Sequence, residues 1–240
     1  MAEVDWTELT GGLSDSEIDS GATAGVGVPN GGGSFVYGFN SLAVVNGARG
    51  IAVNLANFAP MAKGGRITAA IQRGVSGGNT GFAPMMFIGL QGPDVSDNGY
   101  LLGLSDNDPS HLLLKKGSIA SGLTEGTLGS GGLLAQGTVA KNIGEWYHFR
   151  LDMVVNDNGD VILNVFENDL TTNAVTAPVW ETVPGMDSLS PSTGRAFIDD
   201  TLGVNSGSSP FLTGRAGIAL QATDTARRGF FDQITLQRQL

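Results

Sequence analysis

Two short runs of the sequence concentrate oxygen-bearing side chains of the kind that bind hard cations. They are SDNDPS at 105–110 and NDNGD at 156–160. Carboxylate and amide oxygens are the ligands that Ca²⁺ takes in proteins, but neither run has the full ligand spacing of an EF-hand loop. Asp, Asn and Gly are also the residues of tight turns, because Asx side chains bind their own backbone. We therefore favour turns at both places over calcium sites.

The two histidines, His111 and His148, are the other metal-binding side chains of the sequence, and neither has His, Cys or Glu at the spacing of a zinc site. No Gly-x-Ser-x-Gly elbow presents a serine nucleophile. The glycine-rich runs at 77–81 and 129–132 introduce no phosphate-binding helix. The sequence therefore predicts no catalytic, cofactor-binding or metal-binding residue.

The composition excludes several classes of partner. With 13 basic and 23 acidic residues, the chain has a formal charge of −10 and repels the phosphate backbone of a nucleic acid. The acidic start MAEVDWTELTGGLSDSE lacks the basic and apolar regions of a secretory signal. No apolar run approaches the ~20 residues that cross a bilayer. We therefore expect synthesis in a cytoplasm without a signal peptide, and the absence of Cys fits this expectation. We expect neither a nucleic-acid nor a membrane partner.

Glycine content and hydrophobic patterning predict an all-β fold. Gly makes up 37 of 240 residues, and short apolar runs, several with period-two alternation, are bounded by Gly, Pro, Asn or Asp. The repeated tetrapeptide TGRA, at 193–196 and 213–216, predicts two similar strand entries. The predicted strands are 35–40, 50–55, 65–72, 83–91, 100–105, 111–116, a short strand around 179–183, 215–222 and 229–240. Their spacing is typical of a two-sheet antiparallel sandwich.

The stretch EWYHFRLDMVVNDNGDVILNVFE, at 145–167, predicts a β-hairpin. Apolar side chains alternate along its first half, with His148, Arg150 and Asp152 on the opposite face. NDNG at 156–159 supplies Asn and Gly, which accept the positive φ that a tight hairpin turn demands.

Residues 1–33 differ in character from the rest of the chain. They are rich in Ser, Asp and Gly and end in PNGGG, which disfavours a packed element. Ser14 and Glu17 have the spacing of a capping box, but no apolar run follows, so one helical turn is the most we expect there. We interpret residues 1–33 as an extended N-terminal arm and residues 34–240 as a single β-sandwich domain.

Three stretches, at 99–119, 144–169 and 214–236, together resemble concanavalin A-like, or laminin-G-like, jelly rolls. In that family a tryptophan opens a strand before a hairpin, and the last strand pair has a glycine followed later by Phe-Asp. Trp146, Gly217, Phe231 and Asp232 match those places. The resemblance implies two stacked antiparallel sheets but no single function, because the scaffold serves sugar-binding modules, glycosidases, adhesion domains and virus particles.

The resemblance also implies a sheet face on which an aromatic ring can stack on a sugar. Trp146, Tyr100 and Trp180 are the candidate platforms. For each of them, packing in the core or at a sheet edge is the favoured interpretation.

EVDWTE at 3–8 resembles the Glu-x-Asp-x-x-Glu signature of laminarinase-type glycosidases, which use two carboxylates across the scissile bond. In that family the motif lies on a central strand near mid-chain, whereas here it begins at Glu3. We favour a solvated acidic terminus.

The function we predict from the sequence is a non-enzymatic structural protein of a bacteriophage virion. MAEVDWTELTGGL and NGGGSFVYGF are similar to phage structural proteins, and the favoured form is a capsid decoration, or cement, protein. Its partners would be the major capsid protein and neighbouring subunits, tied by the N-terminal arm in a homotrimer. The alternative is a carbohydrate-binding module or tail-fibre adhesin with a glycan partner, and the third hypothesis is a laminarinase-type glycosidase.

Overall fold

The computed structural model describes residues 6–8, 16–20, 27–33, 35–40, 47–53, 64–74, 81–186, 194–201, 207–222 and 228–238. Within these ranges the chain forms fifteen strands and two short 3₁₀ turns, Ile119–Ser121 and Ser130–Gly132. The strands are β1 (Trp6–Glu8), β2 (Ser16–Ser20), β3 (Phe35–Asn40), β4 (Gly47–Val53), β5 (Gly64–Arg73), β6 (Phe82–Leu90), β7 (Asn98–Leu104), β8 (Leu112–Ser118), β9 (Leu133–Gln136), β10 (Trp146–Val155), β11 (Val161–Asn168), β12 (Trp180–Thr182), β13 (Arg195–Asp199), β14 (Arg215–Ala222) and β15 (Arg228–Arg238). The described chain contains no helix with the length and apolar character that crossing a membrane requires.

The strands form two antiparallel sheets. The seven-stranded sheet has the order β1-β4-β14-β6-β7-β8-β9. The eight-stranded sheet has the order β12-β11-β10-β5-β15-β3-β2, and β13 also pairs with β11. Some neighbouring strands, such as β5 and β15, are far apart in sequence, so the sheets depend on long-range strand pairing. The predicted two-sheet antiparallel sandwich is confirmed.

The main core lies between the two sheets. From β10 it receives Phe149, Leu151 and Met153, which alternate with polar residues of the opposite face. The facing sheet contributes apolar side chains of β6, β7, β8 and β14: Met86, Ile88, Leu102, Leu104, Leu112, Leu114, Ile218 and Leu220. Each such side chain, fully buried, stabilises the fold by roughly 1.5–3 kcal/mol relative to exposure.

The outer faces of the two sheets differ. A second apolar cluster covers the outer face of the seven-stranded sheet, where Met85, Phe87 and Leu101 pack with Ile119 and Leu123 from the loop that follows β8. The outer face of the eight-stranded sheet instead presents polar side chains: Arg66, Thr68, His148, Asp152, Thr235 and Gln237. A binding surface on a sheet face is therefore expected on the eight-stranded sheet.

The predicted hairpin is confirmed as β10 and β11, which pair from His148 opposite Asn168 to Val155 opposite Val161. The turn is closed by Gly159 N–H donating to Asn156 O at 3.0 Å and by Asn156 N–H donating to Asp160 O at 3.0 Å. Of the two turn residues expected to accept positive φ, only Gly159 does so, at 82°. This turn therefore uses a single left-handed residue, where a two-residue Asn-Gly turn would need two.

The two TGRA repeats lead into strands, as predicted, because β13 begins at Arg195 and β14 at Arg215. The helical turn expected from Ser14 is wrong at Glu17, which lies in β2 and pairs with Gly38. Ser14 itself lies outside the described residues. The strands β1, β2 and β9 were not predicted as such.

The described parts of the N-terminal arm contact the sandwich of the same chain. β1 pairs with β4 in one sheet, and β2 pairs with β3 in the other. Residues 27–33 contact the loop after β11, where Val175 N–H donates to Asn30 O at 2.8 Å. A Cβ at Gly31 would lie 2.5 Å from the Ala174 Cβ, so glycine is needed for this close approach. Attachment of the arm to a second subunit stays a prediction.

A buried ion pair ties β13 to the seven-stranded sheet. Lys116 Nζ lies 2.7 Å from Asp199 Oδ2, and the two side chains are 4% and 0% exposed. The Tyr100 hydroxyl donates to the same Asp199 oxygen at 2.5 Å and accepts a hydrogen bond from Phe211 N–H. Lys116 also donates to the carbonyl oxygens of Ser208 and Ser209. The network therefore fixes both β13 and the segment before β14.

Replacing Asp199 with Asn should destabilise the fold, because it leaves the Lys116 ammonium buried without its counter-charge. The cost of breaking a buried pair on one side is about 3–5 kcal/mol. Urea denaturation followed by circular dichroism measures it, with Asp157→Asn in the exposed hairpin turn as the control. If the two variants unfold at the same urea concentration, the network does not carry this energy.

Candidate functional site

The outer face of the eight-stranded sheet carries an open pocket of about 300 Å³, which we name the central pocket. Its floor comes from β5, β10 and β15, and one side comes from β12 and the loop before it. The residues that line it include Arg66, Thr68, His148, Trp180, Thr235 and Gln237. They share the outer face because the core side chains of the same strands occupy the alternate positions.

The loop between β11 and β12 forms the wall of the central pocket, through Val175, Thr176 and Pro178. Asn30 holds this wall from the arm side, since its Nδ2 donates to Leu170 O at 3.2 Å and to Asn173 O at 3.1 Å. The pocket shape therefore depends on residues 27–33 as well as on the sheet.

Trp180 is positioned by the pairing of β12 with β11, in which it lies opposite Asn168. Its half-buried ring packs beside the His148 ring, with centroids 4.7 Å apart and an angle of 57° between the planes. The guanidinium carbon of Arg150 lies 5.8 Å from the Trp180 ring centroid. These contacts fix the indole at the pocket margin, where part of the side chain stays accessible.

Asn168 determines the tautomer of His148. Asn168 Oδ1 accepts from Val179 N–H at 2.9 Å, so its Nδ2 points the other way and donates to His148 Nδ1 at 3.3 Å. His148 Nδ1 is therefore an acceptor, and Nε2 carries the hydrogen. Burial lowers the pKa of His148 to about 4, so the ring is neutral at neutral pH.

Asp152 accepts hydrogen bonds from two arginines on the same face. Arg66 Nε donates to Oδ1 at 2.6 Å, and Arg150 Nη2 donates to Oδ2 at 2.5 Å. Burial raises the pKa of Asp152, but the bonds from Arg150 and Arg66 outweigh it and leave the pKa below its ordinary value. A second pocket of about 170 Å³, the arginine pocket, is lined by Arg66, Asp152, Val154, Gln237 and Arg238. Arg66 and Gln237 line both pockets, so the two are continuous.

A third pocket, of about 360 Å³, lies at the start of β10 and contains Trp146 and Tyr147. The Tyr147 hydroxyl donates to Glu145 at 2.8 Å, and Lys141 pairs with Glu167 at 2.6 Å beneath the two rings of Tyr147 and Phe149. Trp146 is half-buried, and the register of β10 places it on the outer face.

The three aromatic residues suggested as sugar platforms lie in different surroundings. Tyr100 is fully buried in the main core and bonded to Asp199, which agrees with the favoured interpretation of core packing and leaves no ring face for a sugar. Trp180 lies in the central pocket and Trp146 in the third pocket. Both tryptophans are half-buried, as edge packing predicts, and both remain available to a ligand.

Of the glycosidase-like motif, only the part that includes Glu8 is among the described residues. Glu8 lies in β1, at the edge of the seven-stranded sheet and opposite Ile51. Glu3 and Asp5 lie outside the described residues.

Several side-chain oxygens of the two Asx-rich runs accept hydrogen bonds from within the chain. Asn156 Oδ1 accepts from Asn158 N–H and Asp160 N–H, and Asp160 Oδ1 accepts from Thr201 N–H. In the other run Asp106 Oδ2 accepts from Thr124. Across the described ranges, no group of three His, Cys, Asp or Glu side chains is placed to hold a metal. His111 instead bonds Glu125 at 2.8 Å.

Arg66 was not among the residues predicted from the sequence, although alternation predicted His148, Arg150 and Asp152 together on one face of a strand. The missing information is the pairing of β10 with β5, which puts Arg66 directly opposite Asp152. An arginine at the start of the run GRITAAIQ was the available signal, but alternation alone does not tell which strands are neighbours.

Comparison with known proteins gives a fold and no family: no family model and no curated protein matches the chain. Among solved structures, the carbohydrate recognition domain of Emp46p has a TM-score of 0.50 and 12% identity, covering 97% of this chain and 86% of that chain. The carbohydrate binding module CBM66 from Bacillus subtilis has a TM-score of 0.49 and 12% identity, covering 97% and 94%. A legume lectin-like domain from Entamoeba histolytica has a TM-score of 0.48 and 8% identity, covering 94% and 91%.

The class that the fold defines is thus the two-sheet, antiparallel jelly roll. This is consistent with the concanavalin A-like resemblance of the sequence, and at this identity the likeness to the Emp46p domain shows the fold alone.

The pKa of His148 gives a pH dependence of stability. In the unfolded chain this histidine takes up a proton as pH falls through about 6.5, whereas in the fold it stays neutral down to about 4. The unfolded state therefore binds more protons in this interval, and stability falls as pH decreases from about 6.5 to about 4. The wild type should lose about 2–3 kcal/mol more over this range than His148→Gln.

Urea denaturation of both proteins at about pH 7, 5.5 and 4 measures the difference. Comparing the two proteins cancels the contribution of the carboxylates, which the substitution leaves in place. Parallel loss of stability in the two proteins would contradict a buried neutral histidine.

Proposed function

We propose that this chain is a carbohydrate-binding domain whose central pocket holds a sugar against the ring of Trp180. The observation that carries the proposal is the combination of an accessible, fixed indole with convergent polar side chains on the outer face of one sheet. A pocket with one aromatic wall and a few placed polar groups is the usual form of a small-ligand site.

The chemistry of a sugar fits this arrangement. A pyranose has an apolar C–H face that packs on an aromatic ring, and its hydroxyls need hydrogen-bond partners. The floor of the pocket offers the hydroxyls of Thr68 and Thr235, whose oxygens lie 2.5 Å apart, and the amide of Gln237. Both threonines and Gln237 are on neighbouring strands, so their positions are set by backbone pairing.

One solved structure of similar fold supports the scaffold part of the proposal. The solved domain with a TM-score of 0.50 is described as a carbohydrate recognition domain. Its likeness to this chain supports a scaffold suited to sugars, while the residues of the pocket support the binding itself.

We propose binding without bond cleavage. Glycoside hydrolysis uses two carboxyl groups, one of them protonated to act as the acid. Among the described residues that line the central and arginine pockets, Asp152 supplies the only carboxylate. Two arginines hold Asp152 in the ionised form, which makes it unsuited to donate a proton.

A place in a virion, capsid partners and a homotrimer stay predictions from the sequence, because a single chain and its fold do not test them. They are compatible with glycan binding, as a tail or fibre adhesin would combine both.

Trp180→Ala should abolish most of the glycan affinity, because it removes the stacking surface and leaves the polar floor intact. Truncating a central aromatic contact costs about 2 kcal/mol or more, which is roughly a thirtyfold loss in affinity. Glycan-array screening of the wild type first identifies a ligand, and isothermal titration calorimetry then measures its affinity. Trp180→Phe should retain part of the binding.

The matched control is Trp146→Ala, which removes a half-buried tryptophan from the same sheet face but from the third pocket. It should bind as the wild type does. Absence of any glycan ligand for the wild type, or equal affinity in the Trp180→Ala variant, would overturn the proposed function.

A further inference from the structure

The central and arginine pockets carry positive charge on a protein that is strongly acidic overall. The chain has a formal charge of −10, yet the two continuous pockets contain Arg66 and Arg238, with Arg150 bonded to Asp152 alongside them. Among the described residues that line these pockets, the opposing carboxylate is Asp152. The local charge is therefore positive, opposite in sign to the protein as a whole.

Arg66 and Arg150 together bring more positive charge than is needed to neutralise Asp152. One guanidinium would balance the carboxylate, but two donate to it: Arg66 through Nε and Nη2, and Arg150 through Nε and Nη2. Because Asp152 stays ionised, the triad keeps one net positive charge. Arg150 is largely shielded, with its side chain 16% exposed and its guanidinium against the Phe166 ring at 4.3 Å.

Arg66 is the member that a ligand can reach. Its side chain is 38% exposed and lines both pockets. Asp152 occupies its Nε and Nη2, and within the described part of the chain no partner is found for Nη1. The bonds to Asp152 hold the guanidinium in one orientation, so its remaining N–H groups point in a fixed direction.

We infer that the glycan held by this face is an acidic polysaccharide, whose uronic acid carboxylate binds Arg66 while a neighbouring sugar ring stacks on Trp180. This inference rests on the proposed function and specifies its ligand class. A guanidinium presents planar, paired donors that match a carboxylate, and such charge-assisted bonds are roughly twice as strong as neutral ones. Arg238, at the rim of the arginine pocket, adds a second positive charge for the next uronate along the chain.

Electrostatics make the recognition selective. The rest of the acidic surface repels a polyanion, so attraction is confined to the positive face, and exposed charges are screened over about 10 Å at 0.1 M salt. A neutral polysaccharide gains nothing from Arg66 and should show no such salt dependence.

The test uses pairs of polymers that share a backbone and differ in charge. Polygalacturonate and its fully methyl-esterified form are compared by affinity electrophoresis and isothermal titration calorimetry, with heparin as a sulfated polyanion. Polygalacturonate should bind at least tenfold more tightly than its ester, and raising NaCl from about 0.05 M to about 0.5 M should weaken only the charged form.

Arg66→Gln should lower affinity for polygalacturonate about tenfold and leave affinity for the methyl ester unchanged. Arg238→Gln should lower it about threefold, and as a change at an exposed strand end it guards against a failure of Arg66→Gln to fold. Arg215→Gln, which removes one positive charge from the seven-stranded sheet, is the charge-matched control and should bind as the wild type.

The outcomes separate the two levels of the proposal. Equal binding of acid and ester, stronger binding to heparin than to polygalacturonate, or binding only to neutral glycans through Trp180 would overturn the uronate inference and leave the proposed function standing. If the wild type binds no glycan of any kind, both fail.

Discussion

The pairing of β10 with β5 is the constraint on which both the core and the candidate site depend. Its register puts Phe149 opposite Ala69 and Leu151 opposite Ile67 on the inner side, and Arg150 opposite Thr68 and Asp152 opposite Arg66 on the outer side. A shift of one residue would exchange the two faces, burying arginines and exposing the core. The energy that packs the sandwich therefore also fixes the geometry of the Arg66–Asp152 bond.

The two sheets differ in how far their outer faces are covered. In the seven-stranded sheet, β6, β7 and β14 are buried over most of their length, and the loop after β8 covers the outer cluster with Ile119 and Leu123. The eight-stranded sheet has an uncovered region, bordered by the loop that Asn30 holds and by the short edge strand β12. Side chains held by strand pairing on the open face are placed before a ligand arrives, which lowers the entropy cost of binding.

Much of the fold is legible in the sequence, and the failures have physical causes. Runs such as GRITAAIQ and GEWYHFRLDMVV, with turns of Asn, Asp and Gly between them, predict strands that the structure contains. Tyr100 packs in the core, as favoured from the sequence, although in a strand buried on both faces, such as β7, alternation no longer separates inside from outside. Glu17 was misread because β2 is held by pairing with β3 more than by its own composition.

The candidate site was predicted only in part for a similar reason. His148, Arg150 and Asp152 follow from alternation within one strand, and Trp180 was a candidate sugar platform from the family resemblance. The contact between Arg66 and Asp152 joins residues 86 positions apart, so local pattern contains no trace of it. Long-range register is a property of the whole sheet, and it becomes visible only when all strands are placed.

The strict alternation of β10 has an evolutionary consequence. The side chains at its odd-numbered positions 149, 151 and 153 pack in the core, where a change of one methylene group disturbs the packing. The side chains at its even-numbered positions lie on the outer face, where the candidate site is located. A lineage could therefore exchange Arg150 of β10, or the outer-face residues Thr68 of β5 and Gln237 of β15, and acquire a new binding preference without changing the core.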